Sequence, residues 1–239
     1  MTSIEELLDL PISIDFSELV ENPFILANKS YSSVEFTMKN YYDIMNFNPA
    51  QYDCNFLSAE NISFKNLKTT KLPKMLRFKA PIMGLDLTNC RHLKNISETY
   101  FEVPSINLSD NKLSKVPIIP DCVSVQLSHN LIKNFNGCTN YNWDKLICYH
   151  NPFLSDFKEL PRKLSIIYLN QYLIPGLLRD LIDTNFPFAG RGLFIATSPW
   201  HRREIRNMTE LKQYYAEFSR RDKIICGLIR SAQMIKALF

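Results

Sequence analysis

From Leu85 onward, short bursts of alternating apolar and polar residues return about every twenty positions. The clearest burst is Ile106-Asn107-Leu108-Ser109-Asp110-Asn111-Lys112-Leu113, closed by Val116-Pro117. Leu85, Leu87, Cys90 and Leu93 form the same skeleton before it. Val125, Leu127, Asn130 and Ile132 repeat it afterwards, followed by Leu146, Cys148, Asn151 and Phe153. A fifth copy, Ile167, Leu169, Tyr172 and Ile174, keeps the apolar positions and puts Tyr where the Asn belongs. First positions fall at 85, 106, 125, 146 and 167, in steps of 21, 19, 21 and 21. The two-residue alternation predicts a short strand with one face buried. The Asn or Cys then stands where the chain turns away, and a buried amide there can bond backbone groups of adjacent coils. One coil cannot bury its own apolar row, so successive coils must stack into a parallel sheet with a shared core.

Between strands only about ten residues remain, too few for a usual helical return. Proline recurs there, in Leu72-Pro73, Val116-Pro117, Pro120 and Leu160-Pro161. It lacks an amide hydrogen and fixes φ, so the returns are predicted to be extended. The LxLxxNxL skeleton resembles the leucine-rich-repeat family. The run Leu160-Pro161-Arg162-Lys163-Leu164-Ser165-Ile166-Ile167-Tyr168-Leu169 is similar to the short LPxxLxxLxL repeat of bacterial effector proteins. That resemblance implies an α/β solenoid of short parallel strands with proline-containing returns. It departs from the pattern at Val125, where one residue is lost, and before Leu85, where the step is longer.

A stack of coils needs atypical segments over its two ends. Residues 1–58 are read as an N-terminal cap of mixed structure, 59–175 as the repeats and 176–239 as a helical C-terminal cap or small domain. In the first segment Ser3-Ile4-Glu5-Glu6 has capping-box spacing, and Val34, Phe36 and Met38 alternate like a strand. Ile62-Ser63-Phe64 looks like a degenerate first repeat. In the last segment Ser198-Pro199 offers a helix start, and Asn207-Met208-Thr209-Glu210 can box the start of another. A further helix is predicted from about Asp222, with Ile225, Leu228, Ile229, Ala232 and Ile235 as its apolar stripe.

Charge sharpens the contrast between the ends. Residues 1–30 hold six acidic residues against one basic, and residues 201–239 hold nine basic against four acidic, within a net charge of only +4. No secretory-signal pattern is visible and no run reaches membrane-spanning length. The six cysteines are scattered rather than paired in motifs, which reads as reduced thiols in an intracellular, cytoplasmic compartment, with Cys90 and Cys148 buried.

Candidate chemistry is sparse. None of His92, His129, His150 and His201 belongs to a metal-binding spacing. His129 and His150 share a repeat position, so their rings should be neighbours, but without a carboxylate or thiolate they read as a surface ladder rather than ligands. No cofactor and no metal are expected. There is no GxSxG, and Gly190-Arg191-Gly192 lacks the strand and lysine of a phosphate loop, so it reads as a turn. Effectors with similar repeats often carry a ubiquitin-ligase domain with a catalytic cysteine. Here Cys226 sits on an apolar helix in a tail too short for that domain, so the resemblance does not bring the activity with it. The chain is not expected to be an enzyme.

The repeat leaves one face for binding. Strand residues between the buried positions point to the open, concave side, and along its length small polar groups give way to Gln126, His129, Ile147, Tyr149, His150 and Tyr168. Exposed aromatics supply large contact area at low entropic cost. The basic residues Arg220 and Arg221 would add electrostatic steering. Acidic residues scattered through the tail, together with its strong apolar stripes, argue against nucleic acid or an acidic membrane surface. The expected function is therefore a non-catalytic module that binds a protein. The alternative is an effector or adaptor whose residues 176–239 carry an activity targeted by the repeats.

Overall fold

The computed structural model describes residues 12–15, 29–37, 57–64, 83–90, 103–119, 121–188, 192–198, 200–218 and 220–238. The chain is an α/β protein, a parallel solenoid of short strands with helices in its C-terminal part. It divides into two compact units, residues 1–111 and 112–239.

The first unit holds β1 (Ile12–Asp15), β2 (Lys29–Thr37), β3 (Leu57–Phe64), β4 (Gly84–Asp86) and β5 (Ser105–Asn107). Each pairs in parallel with the next, with Ile12 beside Val34, Val34 beside Ile62, Ile62 beside Leu85 and Leu85 beside Ile106. The alternation at Val34 and Phe36 does mark a strand, and Ile62 does enter the repeat register. Parallel pairing thus reaches back into the segment read as a cap. The capping box at Ser3 lies outside the described residues.

The second unit holds β6 (Ser124–Gln126), β7 (Lys145–Ile147) and β8 (Ile166–Tyr168), again parallel, with Val125, Leu146 and Ile167 in register. In each strand the middle residue is buried and its two neighbours are partly exposed. No helix interrupts the returns from 127 to 144 and from 148 to 165; Pro152 and Pro161 bar one from the second, and the first stays non-helical without a proline. Phe135 and Phe157 pack with tilted rings inside consecutive returns, 6.0 Å between centroids, and Trp143 is fully buried with its indole Nε1 donating to the Ile119 carbonyl at 2.8 Å.

An asparagine ladder joins the coils. In the second unit the Asn151 amide nitrogen donates to Leu127 O (2.8 Å) of the preceding coil and to Cys148 O (3.2 Å) of its own, while Oδ1 accepts from Ile132 N (3.1 Å). Asn130 donates to Leu127 O at 3.2 Å and accepts from Leu113 N at 3.0 Å. In the first unit Asn111 donates to Leu87 O and Leu108 O, both at 2.9 Å. Cys90, in the same repeat position, is fully buried and its thiol donates to Thr88 O.

Beyond β8 the chain departs from the expected run of helices. A 3-10 turn (Gln171–Leu173) takes the place of the Asn-bearing loop and leads into α1 (Ile174–Asp183), which has Pro175 in its first turn. Asp180 on α1 is fully buried and accepts from Phe157 N at 3.0 Å, which fixes the helix to the neighbouring return. The helix ends in a Schellman pattern, Phe186 N to Leu181 O and Asn185 N to Ile182 O, with Asn185 at φ 48°.

The chain then forms β9 (Leu193–Ser198), parallel to β8, and β10 (His201–Ile205), antiparallel to β9. Ser198 therefore does not begin a helix. Its Oγ accepts from Trp200 N (3.3 Å) and His201 N (3.0 Å), the same local bond an N-cap makes, but it closes a hairpin. Gly192 adopts φ +74°, and a Cβ there would meet Ile205 O at 3.0 Å, so the glycine-rich point serves a close backbone approach.

Asn207 does cap α2 (Met208–Glu217): its Oδ1 accepts from Glu210 N at 2.9 Å, and Glu210 reaches back to Arg206 N at 2.8 Å. The last helix, α3 (Arg220–Leu238), begins where the stripe predicts.

Replacing Asn130 or Asn111 by Ala should cost about 1 to 3 kcal/mol each, because buried carbonyls lose their donors and, at Asn130, Leu113 N also loses its acceptor. Thermal or urea melts of the two variants provide the check, and an unchanged midpoint in both would contradict the ladder.

Candidate functional site

The residue before each ladder position has a left-handed backbone: Asn89, Asp110, His129 and His150 lie at φ 60°, 58°, 55° and 53°. Only Asn, Asp, His and Gly visit this region at modest cost. The two histidines thus stand where the turn geometry restricts the residue type. Their exposed rings stack at 4.3 Å, the neighbour relation that the shared repeat position predicts. Among the described residues no group of three His, Cys, Asp or Glu side chains could hold a metal ion.

On the open face of the second unit, Gln126, Ile147 and Tyr168 lie side by side in register and are half-exposed. Tyr149, also half-exposed, meets Tyr168 edge-on at 6.3 Å, and the Lys145 ammonium stands 5.6 Å from the Tyr168 ring centre. The six predicted face residues therefore form one patch on β6, β7, β8 and the turns that follow them. Lys145 belongs to it as well. It was missed because it precedes the buried Leu146, one place before the columns read from the sequence. The side chains of Arg220 and Arg221 lie outside the described residues.

Burial decides the chemistry of the patch. It raises the Tyr149 phenol above its ordinary value, with Tyr168 and Cys148 adding to the effect. The Tyr149 hydroxyl and the hydroxyl of buried Ser128 have no protein partner. Cys148 is buried and its thiol is pushed up to about 12, and the Cys226 thiol is also raised, chiefly by burial. Neither is poised to form the thiolate a nucleophile needs. None of the five described cysteines forms a disulfide.

A second region lies around the 3-10 turn. A groove of about 570 Å³ is lined by Tyr172, Tyr214, Phe218, Ile225 and Ile229. Another of about 620 Å³ lies between Asn170, Trp200, Arg202, Tyr214 and Phe218. Arg203 stacks on Tyr214 at 4.1 Å and pairs with Glu217. It is Tyr172, the residue in place of the fifth ladder Asn, that lies in the groove with α3, while Tyr149 and Tyr168 meet each other across the sheet.

Comparison with protein-family models, with curated proteins and with solved structures finds no match for the chain.

Burial lowers the His150 pKa below 6.5, and the neighbouring His129 lowers it further. The folded state thus binds protons less readily than the unfolded chain. The contribution of His150 to stability is full above pH 6.5 and is lost as pH falls from there to the depressed folded value. His129→Asn keeps a residue that tolerates φ > 0 and removes the neighbouring charge. Melts at neutral and mildly acidic pH should show a smaller acid-induced drop in this variant than in the parent chain.

Proposed function

We propose that the chain is a leucine-rich-repeat binding module without catalytic chemistry, which recognises a protein through the open face of β6, β7 and β8. The observation that carries this reading is the patch of Tyr149, Tyr168, Ile147 and Lys145, half-exposed beside the stacked histidines on strands held rigid by the ladder. Aromatic anchors on rigid elements lose little entropy when a partner covers them. The partnerless hydroxyls of Ser128 and Tyr149 add polar groups that a partner can satisfy if the side chains turn toward it. Three short strands at about 4.8 Å spacing make a small face, less than the ~800 Å² a standard stable complex buries per partner. A stable partner must also touch the turns or the C-terminal region.

An intracellular, reducing setting accords with the five described cysteines, of which four are buried and none forms a disulfide. An effector activity confined to residues 176–239 has less support. That segment supplies β9 to the sheet, and Asp180 bonds it to the return of the preceding coil.

Once a partner has been captured from the native host, binding kinetics test the site. Tyr149→Ala and Tyr168→Ala should each weaken binding by about 1 to 3 kcal/mol, mainly through faster dissociation. Exchanging Arg220 and Arg221 for neutral residues should instead slow association and reduce its salt dependence. Ser63→Ala, in the first unit, is the control and should change neither rate. Neutral tyrosine variants beside a damaging Ser63 change would place the site elsewhere.

A further inference from the structure

The stripe of α3 faces the wrong way for a helix that only caps a core. At 100° per residue, Ile224, Ile235, Leu228, Ala232, Ile225 and Ile229 fall within an arc of about 140°, which also takes in Arg221 and Lys236. The opposite edge carries Cys226, Arg230 and Met234, and these are the partly covered positions. That edge lies toward the 3-10 turn, where the Arg230 charge acts on the Tyr172 phenol. The apolar arc is open: Leu228 is 66% exposed, Ile235 59% and Ile224 55%. An ordinary amphipathic helix buries this stripe and shows its polar side to water.

Two further observations bear on what covers it. The sequence of α3 places five basic residues, Arg220, Arg221, Lys223, Arg230 and Lys236, against Asp222 alone, and of these Arg230 belongs to the covered edge. At the tip of the β9–β10 hairpin Trp200 is 90% exposed, followed directly by His201 and Arg202, both exposed. The hairpin and the helix adjoin, because Gln171, Tyr214 and Phe218 line both the groove that holds Trp200 and the groove that holds Ile225.

We propose that this end of the second unit docks on an anionic lipid bilayer, with α3 lying in the plane of the interface and Trp200 as an aromatic anchor. A basic helix with an open aliphatic face combines the two terms that hold a peripheral helix at an acidic surface, apolar burial and attraction to headgroups. Tryptophan adds a ring suited to headgroup depth. No helix among the described residues is long and apolar enough to cross a membrane, so the contact lies on the surface. A second copy of the chain is the poorer occupant, since pairing two such helices brings like charges together over a face only about 28 Å long. The scattered acids and apolar stripes that argued against an acidic membrane surface do not weigh against α3, whose only acidic residue is Asp222 and whose stripe is exposed. This inference is independent of the protein-binding face on β6 to β8.

The test is flotation of the full chain with phosphatidylcholine vesicles, with and without phosphatidylserine. Trp200 emission serves as a second readout, because the other tryptophan, Trp143, is fully buried. Binding should require phosphatidylserine, weaken in high salt and shift Trp200 emission to the blue. Leu228→Glu and Ile235→Glu together should weaken it by about tenfold or more. Both side chains point to water, so the double variant should keep the parent melting curve, and Trp200→Ala gives an independent loss of affinity from outside the helix. The proposal is overturned if the chain ignores phosphatidylserine vesicles, or if it binds them and neither variant weakens that binding. It is equally overturned if the glutamates abolish only a concentration-dependent dimer, or only capture by an acidic protein, while vesicle binding is absent.

Discussion

Everything in the repeat depends on what happens to the backbone where each coil leaves its strand. Three or four residues there point amides and carbonyls into the interior, where water cannot serve them, and each unpaired group would cost about 1 to 3 kcal/mol. One buried side-chain amide answers the problem for two coils at once. Asn151 bonds Cys148 of its own coil and Leu127 and Ile132 of the one before, so the coils cannot separate without stranding polar groups on both sides. This turns a set of three-residue strands, each too short to be stable alone, into a cooperative stack.

The same turn dictates the left-handed residue that precedes it, and through that residue it shapes the surface. Histidine at positions 129 and 150 satisfies the backbone and stacks outward, and burial together with the His129 neighbour lowers the basicity of His150, so a constraint of folding leaves a pH-sensitive mark beside Tyr149 and Tyr168. Where the ladder residue is Tyr172 instead of Asn, the loop becomes a 3-10 turn and the chain runs into α1. The end of the asparagine ladder and the start of the helical part are one event.

How much of this was legible follows from how local each signal is. The strands at Leu85, Ile106, Val125, Leu146 and Ile167 were readable because alternation and the Asn position repeat together, and Asn207 capped its helix because the box is a four-residue signal. Strand parity set Gln126, Ile147 and Tyr168 on the side opposite the buried Val125, Leu146 and Ile167, and they are partly exposed there. The β9–β10 hairpin was not foreseen, since the Ser198 hydroxyl makes the same bond in a turn as in a cap, and only the pairing of Ile167 with Ile195 decides between them. The outward stripe of α3 was also out of reach. Periodicity shows that Leu228 and Ile235 share a face, but which edge meets Tyr172 is settled by tertiary packing.

The two surfaces that result lie on different supports, one on strands locked by the ladder and one on a helix held by a single edge. Hydrogen exchange measured residue by residue addresses the ladder most directly. The amides of Leu113 and Ile132 lie outside the strands and donate to asparagine side chains, at 3.0 and 3.1 Å. The account predicts that they exchange as slowly as the strand amides of Leu146 and Ile167, opening only when the stack opens. Exchange of Leu113 and Ile132 at the rate of exposed turn amides, with the strands still protected, would contradict it.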